Sequence, residues 1–207
     1  MKVIGLTGGI ASGKSSVSSV LKGKYRLPIV DADLIAREVV APGSKGIQMI
    51  EEAFGHEVIA EDGSMDREKM GALMRQDEKV RDRLNEITHP LVEQEVRRQF
   101  EVYARAGEGI VVYDCPLLIE AHQDHLVDEI LLVTAEKATR VDRIMMRDGC
   151  DRQTAEQKIA IQMPEEEKLS QADTVIYNDG SLQELEDCID HYIKTLDNTM
   201  SGEKVNR

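Results

Sequence analysis

The 207-residue sequence has no tryptophan, two phenylalanines and five tyrosines, so aromatic side chains make up only 3% of it. Platforms for stacking single-stranded nucleic acid are therefore scarce. Positive charge is also in short supply: 26 Lys and Arg stand against 39 Asp and Glu, a formal net charge of −13. Such a surface repels phosphate backbones and anionic membranes, so neither nucleic acid nor a membrane is an expected partner. A site for a phosphorylated ligand must be built locally, against the overall field. The three cysteines, Cys115, Cys150 and Cys188, are far apart and odd in number. They suggest no disulfide framework and no metal-ligand spacing, only buried or half-buried thiols in a reducing compartment. No stretch approaches the roughly 20 apolar residues of a membrane helix. The apolar run at the N-terminus is too short for a signal peptide and passes at once into Gly-rich sequence, so a cytoplasmic location is expected. What the chain does have is 41% hydrophobic and 31% charged residues, enough to bury one core with small lobes inserted into it.

Strand-like and helix-like segments alternate. Residues 2–7, 27–30, 110–113, 128–134 and 173–177 read as short strands, several of them rich in β-branched residues. Residues 14–23, 136–148 and 151–162 read as helices, the last two joined at Gly149. A capping box, Ser181-x-x-Glu184, opens a final helix whose apolar face comprises Leu182, Leu185, Ile189, Tyr192, Ile193 and Leu196. The pattern predicts an α/β fold, a parallel sheet with helices on both faces. Residues 34–106 are mostly charged and helical in period, too long for a plain crossover, and are expected to form a helical lobe carried on that sheet. Within them Asp66 is placed to cap a helix over 67–75, and Val92, Val96, Phe100 and Tyr103 mark the buried stripe of a helix starting after Pro90. The polar tail from Asn198 onward is expected to fray.

Chemistry enters at the first turn. Gly8-Gly9-Ile10-Ala11-Ser12-Gly13-Lys14-Ser15 matches GxxxxGK[ST], with a strand before it and a helix after. In such a loop the glycines let backbone N–H groups turn inward, and those donors with the helix N-terminus hold phosphate oxygens. Gly8, Gly9, Ala11, Ser12, Gly13, Lys14, Ser15 and Ser16 are the candidate ATP contacts. Lys14 would reach the β- and γ-phosphates, and the Ser15 hydroxyl would ligate Mg²⁺.

Asp31 and Asp33 follow the second strand, and Asp114 follows the third. Phosphoryl transfer to a hydroxyl needs one group to orient and deprotonate the acceptor and another to hold Mg²⁺. Asp33 suits the first task and Asp114 the second, though each also reads as a turn or capping aspartate. Arg140, Arg143 and Arg147 share one helical face, with Val141, Ile144 and Met145 beside it. A flap carrying these arginines could close over transferring phosphates. The alternative is a solvated face paired with Glu136, Asp142 or Asp148.

Taken together, these residues resemble the dephospho-CoA kinase family over about residues 2–195. The likeness rests on the loop, on Asp31-Ala32-Asp33, Asp66-Arg67 and Thr88-His89-Pro90, and on two later segments. Asp114-Cys115-Pro116-Leu117-Leu118-Ile119-Glu120 is similar to that family's DxPLLxE, and Ala172-Asp173-Thr174-Val175-Ile176-Tyr177-Asn178-Asp179-Gly180 to its ADxVIxNxG. The resemblance implies a nucleotide-binding core (1–33, 107–134 and 165–200), a helical CoA-binding lobe (34–106), a lid (135–164) and a flexible tail (201–207). It implies transfer of the ATP γ-phosphoryl to the ribose 3′-hydroxyl of dephospho-CoA, by a monomer or weak homo-oligomer. Asp33 then matches the general base, and Lys14 and Arg140 the groups that stabilise the transferring phosphoryl. Asn178 matches a residue beside the adenine, and Arg147 joins the ATP contacts. Leu117, Leu118, Glu120 and His89 match the acceptor side, His89 reading equally as a structural residue at a helix end. Ala11 departs from the family, which often has Gly there. Two other readings remain. One is a P-loop kinase for a nucleoside, nucleotide or sugar acid, which need not carry the segments at 114–120 and 172–180. The other is a nucleotide-dependent switch, for which a guanine-reading NKxD is missing.

Overall fold

The structure, a computed structural model, describes the backbone of residues 1–202 and side chains through Leu196. In chain order the elements are β1 (Lys2–Gly8), α1 (Lys14–Gly23), β2 (Ile29–Asp31), α2 (Ala32–Glu38), α3 (Lys45–Phe54), α4 (Arg67–Gln76), α5 (Glu78–Arg105), β3 (Ile110–Asp114), β4 (Glu129–Thr134), α6 (Lys137–Asp148), α7 (Arg152–Ala160), α8 (Glu165–Gln171), β5 (Thr174–Tyr177) and α9 (Leu182–Gly202). The sheet order is β2-β3-β1-β4-β5. Strand β1 pairs in parallel with both β3 and β4, and β4 with β5, as expected of strands joined through helices. The register sets Leu6 beside Asp114 and Gly8 beside Val133, so the Gly-rich loop leaves the sheet next to the ends of two neighbouring strands.

The chain divides into two compact units, one made of Met1–Ile29 and the chain from Gly109 onward, the other of Val30–Glu108. In the first, Ile4, Leu6, Val112, Leu131 and Val133 bury one sheet face against Val17 and Leu21 of α1 and Leu185, Ile189 and Tyr192 of α9. Nearly continuous apolar strands are what a sheet covered on both faces requires. The Ser181–Glu184 capping box forms as expected. Leu182, however, is exposed and does not belong to the apolar face of α9, because it sits in the first turn before the helix meets the sheet. The second strand starts two residues later than expected and ends one later. Pro28 has no N–H, but its carbonyl accepts from Val112, so pairing starts around it. Helix α9 continues through Gly202, and residues 203–207 of the expected tail lie outside the described residues. None of the three cysteines is in a disulfide, and Cys188 is exposed rather than half-buried. Among the described residues no helix is long and apolar enough to cross a membrane.

The second unit has its own core of Val40, Ile50, Val58, Met70 and Ile87. Asp66 caps α4, accepting from the Glu68 and Lys69 amides. The Lys69 amide first, then the Lys69 ammonium and last the Glu68 amide hold its carboxyl below the usual carboxylate range. The helix expected to start after Pro90 instead begins at Glu78, capped by Asp77, and runs through the proline. A proline inside a helix removes one hydrogen bond and crowds the preceding turn. The apolar stripe explains why the helix persists, because Val80, Leu84 and Ile87 continue it on the N-terminal side of Pro90 and pack into the lobe core. Burial on both sides of the proline outweighs its local cost. Pro90→Ala should accordingly raise the unfolding free energy by about 1–2 kcal/mol, since the restored hydrogen bond is partly offset by a freer unfolded chain. Urea denaturation of the two proteins measures it, and an unchanged or lower midpoint would show that the helix does not pay for its proline.

Candidate active site

The Gly-rich loop joins β1 to α1. Its last residue, Gly13, has φ +96° and serves as the N-cap of α1 without any side-chain cap, and the first turn of α1 holds no acidic residue. By contrast α2, α3, α4, α5 and α7 each start under a capping side chain, Asp31, Ser44, Asp66, Asp77 and Asp151. Helices α6 and α8 also lack a side-chain cap, but α1 alone follows the Gly-rich loop, and its amides and positive end are left for an anion. A Cβ on Gly13 would collide with the Asn178 side chain, and one on Gly8 would lie 2.5 Å from the Val133 carbonyl. Ala11 has φ +61°, in the left-handed region, where its methyl costs about 1 kcal/mol relative to glycine.

The loop is clamped from outside. Arg140, only 4% exposed, donates through Nε to the Ile10 carbonyl at 3.0 Å and through a terminal nitrogen to Glu165 at 2.6 Å. Arg143 donates to the Ala11 carbonyl at 3.3 Å and to the Asn178 carbonyl at 2.8 Å. Asn178, buried, donates from its amide to the Ser12 carbonyl at 2.8 Å. The Ile10 N–H is taken by the Gln162 side chain at 2.8 Å. Val141, Ile144 and Ala155 form a small core with Ile10 and Ala11, seating α6 and α7 beside the loop. Arg140 and Arg143 therefore turn to the loop. Arg147 does not join them: it stands in solvent and pairs with Asp148, whose carboxyl is held well below the usual range by Arg147 and then by Lys158.

Lys14 donates from Nζ to Asp114, with both side chains largely buried. The carboxylate at the end of β3 is thus a partner of the loop lysine and not a turn cap. Ser15 and Ser16 are exposed in the first turn of α1, and Ser12 is buried. In the turn after β3, Leu117 is exposed, Leu118 is buried against Gly5, and Glu120 lies 2.5 Å from Lys168 of α8.

In the second unit, Asp31 is the cap of α2, accepting from the Leu34 amide at 2.9 Å. Asp33, which also read as a cap for the helix that follows it, is left exposed in the first turn, with no hydrogen-bond or ionic partner among the described residues. His89 lies in mid-helix in α5 and is exposed, so it does not end a helix.

Sequence reasoning missed α8 and with it Glu165 and Lys168, and it gave no role to Gln162, which lies between α7 and α8. Helix α8 is only seven residues long and reads as a charged run. Pro164 followed by Glu165, Glu166 and Glu167 is the signal that marks its start.

The family model described as dephospho-CoA kinase matches residues 2–184. A dephospho-CoA kinase of Bacillus cereus is 47% identical over 182 residues, covering 88% of this chain and 90% of that protein. Among solved structures, a protein of Thermus thermophilus aligns with a TM-score of 0.78 and 31% identity, covering 94% of this chain and 97% of the other. The dephospho-CoA kinase of Campylobacter jejuni aligns with a TM-score of 0.72 over 95% of this chain and 98% of its own, at 22% identity, a likeness of fold.

Proposed function

The chain belongs to the dephospho-CoA kinase family and is an ATP-dependent phosphotransferase, and from that premise we propose how its residues move the γ-phosphoryl of ATP to the ribose 3′-hydroxyl of dephospho-CoA, giving CoA and ADP. The observation that carries the proposal is the uncapped start of α1, reached through a loop held rigid by Arg140, Arg143 and Asn178. Amides fixed in advance bind phosphate without first paying for their own ordering. The clamps hold the carbonyls of Ile10, Ala11 and Ser12, and the amides of Gly13, Lys14 and Ser15 carry the row into the first turn, where the Ser16 amide already bonds the Gly13 carbonyl.

Lys14 and Arg140 neutralise the phosphoryl group as it transfers, with Lys14 exchanging its hydrogen bond to Asp114 for a phosphate oxygen. Asn178, locked on the loop, borders the adenine side. Arg147 reaches the nucleotide only by leaving Asp148. The donors suit Mg²⁺, because Ser15 and Asp114 are hard oxygen ligands and Mg²⁺ is ordinarily held by one or two protein oxygens with phosphates and waters. Among the described residues no group of three His, Cys, Asp or Glu side chains is gathered for another metal. Bound there, Mg²⁺ would supply further neutralisation of the phosphates.

Asp33 accepts the proton of the 3′-hydroxyl. Attack forms the bond from O3′ to the γ-phosphorus and breaks the bond to the bridging oxygen, whose electron pair leaves on ADP. Leu117, Leu118, Glu120 and His89 serve the acceptor side, and a monomeric or weakly associating cytoplasmic enzyme accompanies this reading. The test is ADP release from ATP with dephospho-CoA, adenosine or shikimate as acceptor. Turnover is expected with dephospho-CoA alone. Turnover confined to the other two would replace the acceptor while leaving the loop chemistry intact.

A further inference from the structure

Lysine is almost never fully buried without a partner. Lys168 is 1% exposed and is the buried residue of α8. Its ammonium lies 2.5 Å from a Glu120 oxygen as an ion pair, and neither that nitrogen nor either Glu120 oxygen makes a hydrogen bond of good geometry, to each other or to any other group among the described residues. The two charges answer only each other. A buried ion pair of this kind adds little stability over an apolar pair of the same volume. Its consequence is positional, since neither side chain can move without stranding the other.

Glu120 closes the turn that leaves β3. That turn starts at Asp114, the partner of Lys14. It is folded by hydrogen bonds from the Leu118 amide to the Cys115 carbonyl and from the Ala121 amide to the Leu117 carbonyl. Leu118 is pressed onto Gly5 of β1, where a Cβ would lie 2.6 Å from it. Lys168 therefore pins the far end of a turn whose near end and middle are already fixed. Three residues earlier on the same face of α8, Glu165 holds Arg140 and takes the Thr134 hydroxyl. One short helix thus fixes an arginine on the donor side and the turn assigned to the acceptor.

We propose that Lys168 is a positioning residue for the acceptor: by holding Glu120 it sets the 115–121 turn in the form that receives dephospho-CoA. The proposal rests on the acceptor role given above to Leu117, Leu118 and Glu120. A lysine with only a structural role would, on removal, weaken both substrates together or destabilise the chain without favouring either. A positioning lysine separates them.

The experiment is steady-state kinetics of the full chain with each substrate varied in turn, for Lys168→Met, Lys168→Gln and Lys168→Arg, beside thermal denaturation. Lys168→Met is expected to raise KM for dephospho-CoA tenfold or more, with KM for ATP within twofold. Lys168→Arg, which keeps the charge, should recover most of the loss. Lys168→Gln, which can still donate to Glu120, carries the same measurement if the Met variant does not fold, with a rise in KM for dephospho-CoA of at least threefold. Equal changes in the two KM values, or no recovery with Arg, would overturn the proposal. Failure of the acceptor assignment itself shows separately, as wild-type enzyme that does not turn over dephospho-CoA.

Discussion

Asp33→Asn lowers kcat about a thousandfold and leaves the Kd for ATP within about twofold. The size follows from what the carboxylate does. A positioned general base contributes between about 10² and 10⁴ in rate, and a thousandfold corresponds to about 4 kcal/mol of barrier. Asparagine keeps the size and one hydrogen-bonding oxygen but cannot take the proton. The fold should tolerate the change, because Asp31 and not Asp33 caps α2, and the Asp33 side chain is exposed without a partner among the described residues. A loss of activity therefore cannot be blamed on a melted helix end. Fluorescent-nucleotide titration and initial rates measure the two quantities separately. Near-normal kcat would remove Asp33 from its role, and a parallel loss of ATP affinity would make it a nucleotide ligand.

Lys14→Met loses both activity and stability. On the chemical side, removing a fixed cation from the transferring phosphoryl group costs about 10² to 10³ in kcat. On the structural side, the ammonium is bonded to Asp114 while their side chains are only 14% and 11% exposed. Taking the lysine away leaves a carboxylate largely out of water with no counter-charge, a cost of about 3 kcal/mol. Lys14→Arg keeps the charge and should recover the stability, while its longer fork restores only part of kcat. Denaturant unfolding and initial rates of both variants check this. A Met variant as stable as wild type would mean that the Lys14–Asp114 contact contributes nothing to the resting fold.

What could be read beforehand was what depends on short-range chemistry. Gly8 to Ser15 announce the loop because each residue type there answers a local demand, for a tight turn, a close backbone approach or an anion. Asp66 and the Ser181–Glu184 pair announce helix starts for the same reason, since a cap acts within three residues. Helix α5 starts well before the point its sequence suggests, because Pro90 is a strong local signal for a boundary and the burial of Val80, Leu84 and Ile87 that overrides it is a tertiary effect. The helical face of Arg140, Arg143 and Arg147 was correctly periodic, but periodicity does not say which of three arginines finds the loop. Arg140 and Arg143 do so because Val141 and Ile144 anchor that part of α6 on Ile10 and Ala11, whereas Arg147 has passed the end of that contact and takes Asp148. Glu165 and Lys168 lie in a charged run, and only their partners, buried Arg140 and half-buried Glu120, distinguish them from a solvated face.

The central claim is that a triphosphate gripped at the start of α1 gives its terminal phosphoryl group to one particular hydroxyl. The direct measurement is ³¹P NMR of the products formed from equimolar ATP, Mg²⁺ and dephospho-CoA. The account predicts ADP and, in equal amount, one new phosphomonoester on the ribose 3′-oxygen. ADP accompanied by inorganic phosphate, or a phosphoryl group on any other oxygen, would contradict it.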